Sequence, residues 1–353
     1  MRIIQIVSWL GYGDAIGNEV LALDRSIKKR GLETKIYAES IDTRIDSTLA
    51  ENFTNYIPQK SDVILLHISA ASNANDVVAA LDCKKIMVYH NITPPEFFEP
   101  YNQKSALQCK EGLEQVKKYK NSFGMVLAVS EFNKKNLLEM GYTCEINVLP
   151  IIISFDDYAK EPSKKILEKY NDDYANILFV GRIAPNKKQE DIIQAFNFYQ
   201  KNYNPKSRLF LVGNSCGFEN YQEKLKEFAK RLEAKNVIFT GHTKFNEILA
   251  YYKLSDLFLC MSEHEGFCVP LVESMYFKIP VVAYNSTAIP STLGKSGFLL
   301  NEKNPAITGA IINKILTDNT LKNDIIINQT ERLSDFAHKK IETDFWKYIK
   351  KFL

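Results

Sequence analysis

The segment DLFLCMSEHEGFCVPLVESMYFK (256–278) runs from an apolar strand pattern, through a charged loop, into a helix opened by Pro270. Proline suits a first helical position because its missing N–H would have no partner there. This arrangement puts Glu265 in the loop and Glu273 in the first helical turn, both near the carboxyl edge of a sheet, where ligands bind in open α/β folds. Two carboxylates there can accept hydrogen bonds from several hydroxyls, which is what a sugar or ribose presents. Free N–H groups around Phe267 to Leu271 add an anion-friendly helix terminus. The plainer alternative is that Glu273 only complements the helix N-terminus and Glu265 is a solvated loop residue.

Working outward, similar apolar runs alternate with amphipathic segments from end to end. In the first half they are RIIQIVS (2–8), TKIYAE (34–39), DVILLHI (62–68), KIMVYH (85–90), GMVLAVS (124–130) and EINVLP (145–150); in the second, NILFVG (176–181), SRLFLVG (207–213), NVIFTG (236–241), DLFLCMS (256–262), IPVVAYN (279–285) and GFLL (297–300). Nearly continuous apolar strands separated by helical stretches indicate parallel sheets covered on both faces. Six runs in each half predict two similar α/β domains. The expected boundaries are 1–160 and 170–335, with the polar stretch 153–176 as linker and the amphipathic tail 336–353 as one helix. NEVLALDRSIKKRG (18–31) reads as a helix capped by Asn18 and stopped at Gly31.

Composition narrows the class. The 353 residues carry Lys+Arg 45 against Asp+Glu 42, a formal charge of +3, with 45% hydrophobic residues. Near-balance of charge argues against a nucleic-acid binder, and the composition is globular. Six scattered cysteines without a C-x-x-C pair read as reduced thiols in a cytoplasmic protein. No apolar run approaches the roughly 18 residues of a membrane span.

Three further features carry chemistry. GRIAPNKK (181–188) places Arg182 and Lys187 in a short strand–helix loop, where a guanidinium and an ammonium can neutralise a diphosphate without a metal. No D-x-D pair occurs, so no metal is expected. GYGDAIG (11–17) follows the first strand, but its glycine spacing departs from a dinucleotide fingerprint, although Glu39 ends the second strand where a ribose-binding acid could sit. His90 ends a strand and leads into a proline-stiffened loop, with a role at a cleft or in structure equally open. His67 is read as structural, and His242 and His264 lie in second-half loops. The basic stretch KEGLEQVKKYK (110–120) and the tail KYIKKF (347–352) are either solvated helix faces or contacts with an anionic membrane surface.

Together these pieces resemble retaining glycosyltransferases of family four, with the GT-B fold: two Rossmann-like domains facing a cleft. VGRIAPNKKQEDIIQAF (180–196), LFLVG (209–213), VIFTGH (237–242), YYKLSDLFL (251–259) and SEHEGFCVPLVESM (262–275) follow the family pattern in order and spacing. GDAIGNEVLAL (13–23), YHNITPPEFF (89–98) and AVSEFNKKNL (128–137) resemble a bacterial branch that builds surface polysaccharides. The resemblance implies an N-terminal acceptor-side domain, a C-terminal nucleotide-sugar domain and a final helix that returns to the first domain. It implies that Arg182 and Lys187 grip the diphosphate, Glu273 binds ribose and Glu265 contacts the transferred sugar. Gly266, Phe267, Cys268 and Val269 would hold sugar or phosphate by their backbone, though many relatives have glycine where Cys268 stands. Gly17 would approach the donor phosphate and His90 the reacting carbon, with Gly181, Gly213, Gly241 and His242 completing the donor site.

The implied activity is metal-independent, cofactor-free transfer of a hexose, with retention, from GDP-mannose or a UDP-sugar to a glycan or lipid-linked acceptor. The implied location is the cytoplasm, with peripheral contact at the inner face of the membrane. Domain closure would exclude water during transfer. Two other readings stay open: a non-catalytic sugar-nucleotide binder of the same fold, and an NAD-dependent oxidoreductase.

Overall fold

The computed structural model describes Arg2–Leu353, and the chain divides into two compact units. The first comprises residues up to Glu96, Lys104–Ser154 and Phe336–Leu353; the second comprises Phe97–Gln103 and Phe155–Asp335. Both are α/β units built on parallel sheets.

Among the described residues the first unit holds β1 (Arg2–Leu10), β2 (Glu33–Ile41), β3 (Glu51–Asn52), β4 (Val63–Ile68), β5 (Lys84–Tyr89), β6 (Met125–Ala128) and β7 (Glu145–Val148). They pair in parallel in the order β3-β2-β1-β4-β5-β6-β7. All six runs expected here form strands; β3 is additional, two residues long and too short to leave a hydrophobic pattern. β4 is buried at every position, as a strand covered on both faces requires.

The helix Ala15–Lys29 begins earlier than the sequence suggested. Its cap is Asp14, not Asn18: the Asp14 carboxylate accepts from the Gly17 N–H at 2.6 Å. A side-chain oxygen three residues ahead of the donor is the geometry a cap needs, and Asn18 lies already inside the first turn. Gly31 lies past the helix end at φ +73°, where glycine costs least.

The segment 153–176 is not an open linker. It forms the helices Phe155–Tyr158 and Lys164–Lys169, and Tyr158, Ile166 and Tyr170 are buried in the second unit. Periodicity misses it because four- and six-residue helices show scarcely one turn of pattern. The chain changes unit between Ser154 and Phe155. The helix His338–Ile349 joins the first unit, where Ile341, Phe345, Trp346 and Ile349 pack with Ile3, Leu23, Val63 and Ile86. The Trp346 indole donates to the Ser26 hydroxyl at 3.0 Å, and Ser26 donates to Glu342 at 2.5 Å.

The second unit holds β8 (Ala175–Val180), β9 (Ser207–Val212), β10 (Val237–Gly241), β11 (Leu257–Cys260), β12 (Val281–Tyr284) and β13 (Phe298–Leu300), paired in parallel as β10-β9-β8-β11-β12-β13. In each sheet the strand order reverses once beside its first strand: between β1 and β4, and between β8 and β11. Connections leave to opposite sides at such a point and open a crevice at the strands' carboxyl ends, which is where doubly wound sheets place ligands.

Candidate functional site

In the second unit the carboxyl ends of β8 and β11 are joined by an ion pair. The Lys187 ammonium lies 2.6 Å from Oε2 of Glu265, with the two side chains 20% and 9% exposed. The turn Pro185–Lys187 presents the lysine. Its position is locked by Asn186, whose amide donates to the His264 carbonyl at 3.0 Å and whose carbonyl accepts from the Glu263 N–H at 2.9 Å. Glu265 is held in turn by its own N–H, which donates to Thr287 Oγ1 at 2.9 Å. Burial alone would lower the pKa of Lys187; the facing Glu265 carboxylate more than offsets it, and the net direction is upward.

Arg182, two residues past β8, is exposed, and its guanidinium stacks 5.3 Å from the Phe218 ring and 5.8 Å from Phe98. Two buried rings thus hold the guanidinium itself by cation–π contact. Gly181 and Gly213 let the loops after β8 and β9 meet: a Cβ on Gly213 would lie 2.1 Å from the Gly181 carbonyl oxygen. Gly213 also bridges Gly241, beyond which His242 is exposed.

Past β11, the helix Val269–Tyr276 opens from Cys268, which is left-handed at φ +70°. That backbone is where glycine is favoured. The Phe267 carbonyl accepts from the Thr292 hydroxyl at 2.6 Å, while Gly266 and Val269 stay partly exposed beside it. Glu273 is pinned in this structure. One carboxylate oxygen accepts from the Tyr158 hydroxyl at 2.6 Å and the other from Tyr252 at 2.5 Å. Burial raises its pKa, the two hydroxyls opposing.

In the first unit a second polar group gathers at the other switch point. His67, on β4, and His90, just past β5, bring Nδ1 and Nε2 to 3.0 Å. Glu19, from the helix after β1, places Oε2 3.5 Å from His90 Nδ1. Gln5 on β1 lies 3.2 Å from His67 Nε2. All four are buried. Gly17 fills the first turn of the same helix, where a Cβ would meet the Gly11 carbonyl at 2.3 Å. Its N–H is already taken by Asp14. A close turn therefore accounts for glycine here without a ligand. Glu39 is likewise engaged, its carboxylate accepting from the Ala74 N–H at 2.5 Å, which leaves a ribose-binding role without support.

Residues 160–332 match the family model for glycosyl transferases group 1. The chain has the GT-B fold, and its second unit resembles the group 1 glycosyl transferases. Alr3699/HepE of Anabaena in complex with UDP-glucose shares the fold at TM-score 0.77 and 18% identity, over 99% of this chain and 100% of that one. The sucrose-phosphate synthase (tll1590) of Thermosynechococcus elongatus does so at 0.76 and 15%, over 99% and 98%. O-antigen chain mannosyltransferase B of Escherichia coli is 24% identical over 247 residues, 67% of this chain and 62% of that protein. The serotype-specific mannosyltransferase WbdA of Escherichia coli is 24% identical over 196 residues, 53% of this chain and 23% of that protein. The chain thus spans less than two thirds of the length of these curated relatives.

Arg182, Lys187, Glu265, Gly181, Gly213 and the loop 266–269 gather at one switch point, and Gly17 and His90 lie at the other. Sequence reasoning missed the groups that hold them: Tyr158 and Tyr252 on Glu273, Phe98 and Phe218 on Arg182, Glu19 and Gln5 around the histidines. Phe98 carried a signal, since it ends the loop NITPPEFF that runs into the second unit. Two buried trios, Glu19/His67/His90 and Cys260/Glu265/Cys268, bring donor atoms within 4.8 Å of one another. In the first, two imidazole nitrogens already face each other at hydrogen-bond distance. In the second, the Lys187 cation sits on the carboxylate and would repel a metal. Neither is read as a metal seat. No helix among the described residues is long and apolar enough to cross a membrane.

Proposed function

We propose that this chain is a retaining hexosyltransferase that needs no metal or other cofactor. It takes a nucleotide-diphosphate sugar, GDP-mannose first and a UDP-sugar second. The hexose passes to a glycan or lipid-linked oligosaccharide in bacterial surface-polysaccharide synthesis. The observation that carries the reading is the Lys187–Glu265 pair beside the ring-stacked Arg182, at the switch point of a unit matched by a glycosyl transferase model. The mannosyltransferase names of the Escherichia coli relatives support mannose, and the UDP-glucose bound to the Anabaena protein supports a nucleotide-sugar donor.

The chemistry follows from the charges. When the C1–oxygen bond to the diphosphate breaks, negative charge grows on the leaving group and positive charge on the sugar ring. Arg182 and Lys187 stabilise the first by fixed, preorganised charge. Lys187 turns to phosphate by leaving Glu265, which then accepts hydrogen bonds from sugar hydroxyls in exchange. Glu273 exchanges its tyrosine donors for ribose hydroxyls, beside Gly241 and His242 at the base. The acceptor oxygen bonds to C1 on the face the diphosphate leaves, and its proton passes to the departing phosphate. The resemblance gives Gly17 and His90 roles toward the donor phosphate and the reacting carbon. We place a peripheral contact with the cytoplasmic membrane face on the exposed lysines 104, 110 and 117 around exposed Leu107; flotation with anionic and neutral vesicles tests it.

The test of activity is product formation from GDP-mannose, UDP-glucose, UDP-galactose and UDP-N-acetylglucosamine on short glycan and polyprenyl-linked acceptors, with EDTA and then with magnesium. Transfer with the anomeric configuration kept, undiminished by EDTA, is expected. Inversion, or strict dependence on magnesium, would overturn the retaining, metal-free reading. Tight nucleotide binding without turnover on any acceptor would favour the binding-protein alternative.

A further inference from the structure

The buried group around His90 contains one self-consistent arrangement of protons. The Gln5 amide NH2 donates to the Val20 carbonyl at 2.9 Å, so its oxygen is the atom 3.2 Å from His67 Nε2. An amide oxygen only accepts, so His67 carries its hydrogen on Nε2. A neutral His67 then has a bare Nδ1, and His90 Nε2, 3.0 Å away, must donate to it. A neutral His90 with Nε2–H has a bare Nδ1, and that atom faces the Glu19 carboxyl at 3.5 Å. Two lone pairs would repel there. Both Glu19 oxygens and His90 Nδ1 are buried without a hydrogen-bond partner, and a carboxylic acid O–H turned to Nδ1 would supply the missing donor.

We propose that Glu19, His67 and Gln5 are positioning residues that lock His90 as a neutral imidazole protonated at Nε2, with Glu19 supplying the last hydrogen as a carboxylic acid. Neither ring nitrogen is then free to act as a proton acceptor for substrate. The role of His90 is to shape the site, and ionisation of Glu19 unlocks it. The inference rests on the proposed function only for its kinetic consequence; the proton arrangement stands without it.

The environment agrees. Burial pushes Glu19 up to about 8, opposed by one backbone contact from Ile152. Burial pushes His90 down to about 3 and His67 well below its ordinary value, the neighbouring ring adding to the latter. The faces around Glu19 are β1 with Gln5, β4 with His67, the end of β5 with His90, and the Ile152 backbone. Among the described residues the Glu19 carboxyl otherwise meets only His90, at 3.5 Å, and neither of its oxygens has a partner at full hydrogen-bond geometry. The loop beyond His90 is braced: Asn91, at φ +77°, donates to Asn133 at 2.8 Å, and Asn133 donates to the Tyr89 carbonyl at 3.2 Å.

The experiment is 15N-histidine NMR of the full chain between pH 5 and 9, for the parent, Glu19→Gln and Glu19→Ala. Expected are two neutral Nε2–H rings that gain no proton down to pH 5. The His90 signals should move with a midpoint near 8 in the parent and stay fixed in Glu19→Gln, whose amide N–H replaces the acid's O–H. In transfer assays the parent should lose rate above pH 8, Glu19→Gln should hold its rate there, and Glu19→Ala should lose about tenfold in kcat with the donor KM little changed. A His90 that titrates near 6.5, carries its hydrogen on Nδ1, or moves identically in Glu19→Gln would overturn the proposal. If no donor and acceptor support turnover, the proposed function fails, while the NMR result still decides the proton arrangement.

Discussion

Both sheets gather polar side chains at the switch point, yet they deal with burial in opposite ways. In the second unit Lys187 and Glu265 keep their charges by facing each other at 2.6 Å. In the first, no cation reaches Glu19, and the group stays neutral by holding protons on the carboxyl and on one nitrogen of each imidazole. The difference follows from access to water. Lys187 is 20% exposed, so an ion pair there is partly solvated and can exchange partners; Glu19 is 0% exposed, and an unpaired charge at full burial is costly enough that the group neutralises instead. One site is built to meet charge, the other to exclude it.

The comparison breaks first on pH. Glu19 is raised to about 8 from an ordinary 4.5, so the folded chain binds more protons than the unfolded one between those values. Stability from this group is complete below about pH 4.5, declines as pH rises, and is gone past about 8. The two histidines act oppositely: held low, they cost stability as pH falls below 6.5. Denaturant melts should therefore peak near pH 6–7, and Glu19→Gln should remove the alkaline decline between that peak and pH 8, on the order of 2 kcal/mol. A parent with flat stability from pH 6 to 9 would place a charged Glu19 in the fold and erase the contrast.

Next is Lys187→Met, which should cut transfer by roughly 10²–10³, the size of a lost charge-stabilising group. It should also destabilise the second unit, since Glu265 is left buried and unpaired. Steady-state rates with the best donor check the first effect, and melts the second. Unchanged kcat in a folded variant would remove Lys187 from the chemistry.

A smaller effect is expected at Glu273. Tyr158→Phe and Tyr252→Phe should each lower stability by about 1–2 kcal/mol through a lost charge-assisted bond. Nucleotide affinity by calorimetry should rise, because the carboxylate no longer has to leave a tyrosine to meet ribose. Weaker binding in both variants would make the tyrosines part of the ligand site. Least is the left-handed Cys268: Cys268→Gly should be more stable than Cys268→Ala by about 1 kcal/mol, since only alanine pays the Cβ penalty at φ +70°.

The apolar runs were legible as strands because the central ones, such as β4 and β9, are buried at every position, which leaves an uninterrupted hydrophobic pattern. β3 was not, being two exposed residues. Lys187 and Glu265 were legible as separate motifs, each tied to a strand end. Their pairing was not, because they stand 78 positions apart in the chain. The cap on the first helix was misplaced by four residues, since Asp14 and Asn18 are equally good caps by residue type and only the backbone path decides. The stretch 153–176 looked like a linker because its helices, four and six residues long, each show scarcely one turn of pattern.

Local sequence by itself determined the alternation of strand and helix, the two-unit architecture, and which residue types stand at the strand ends. These follow from short-range rules: hydrophobic period, turn chemistry and proline or glycine geometry. Only the tertiary structure decided which of those residues carry charge. Glu265 met a lysine, Glu273 two tyrosines and Glu19 one imidazole. Three glutamates of identical intrinsic acidity thus received three environments. A carboxyl group's proton is set by its burial and neighbours within a few ångströms, and folding alone brings those neighbours together.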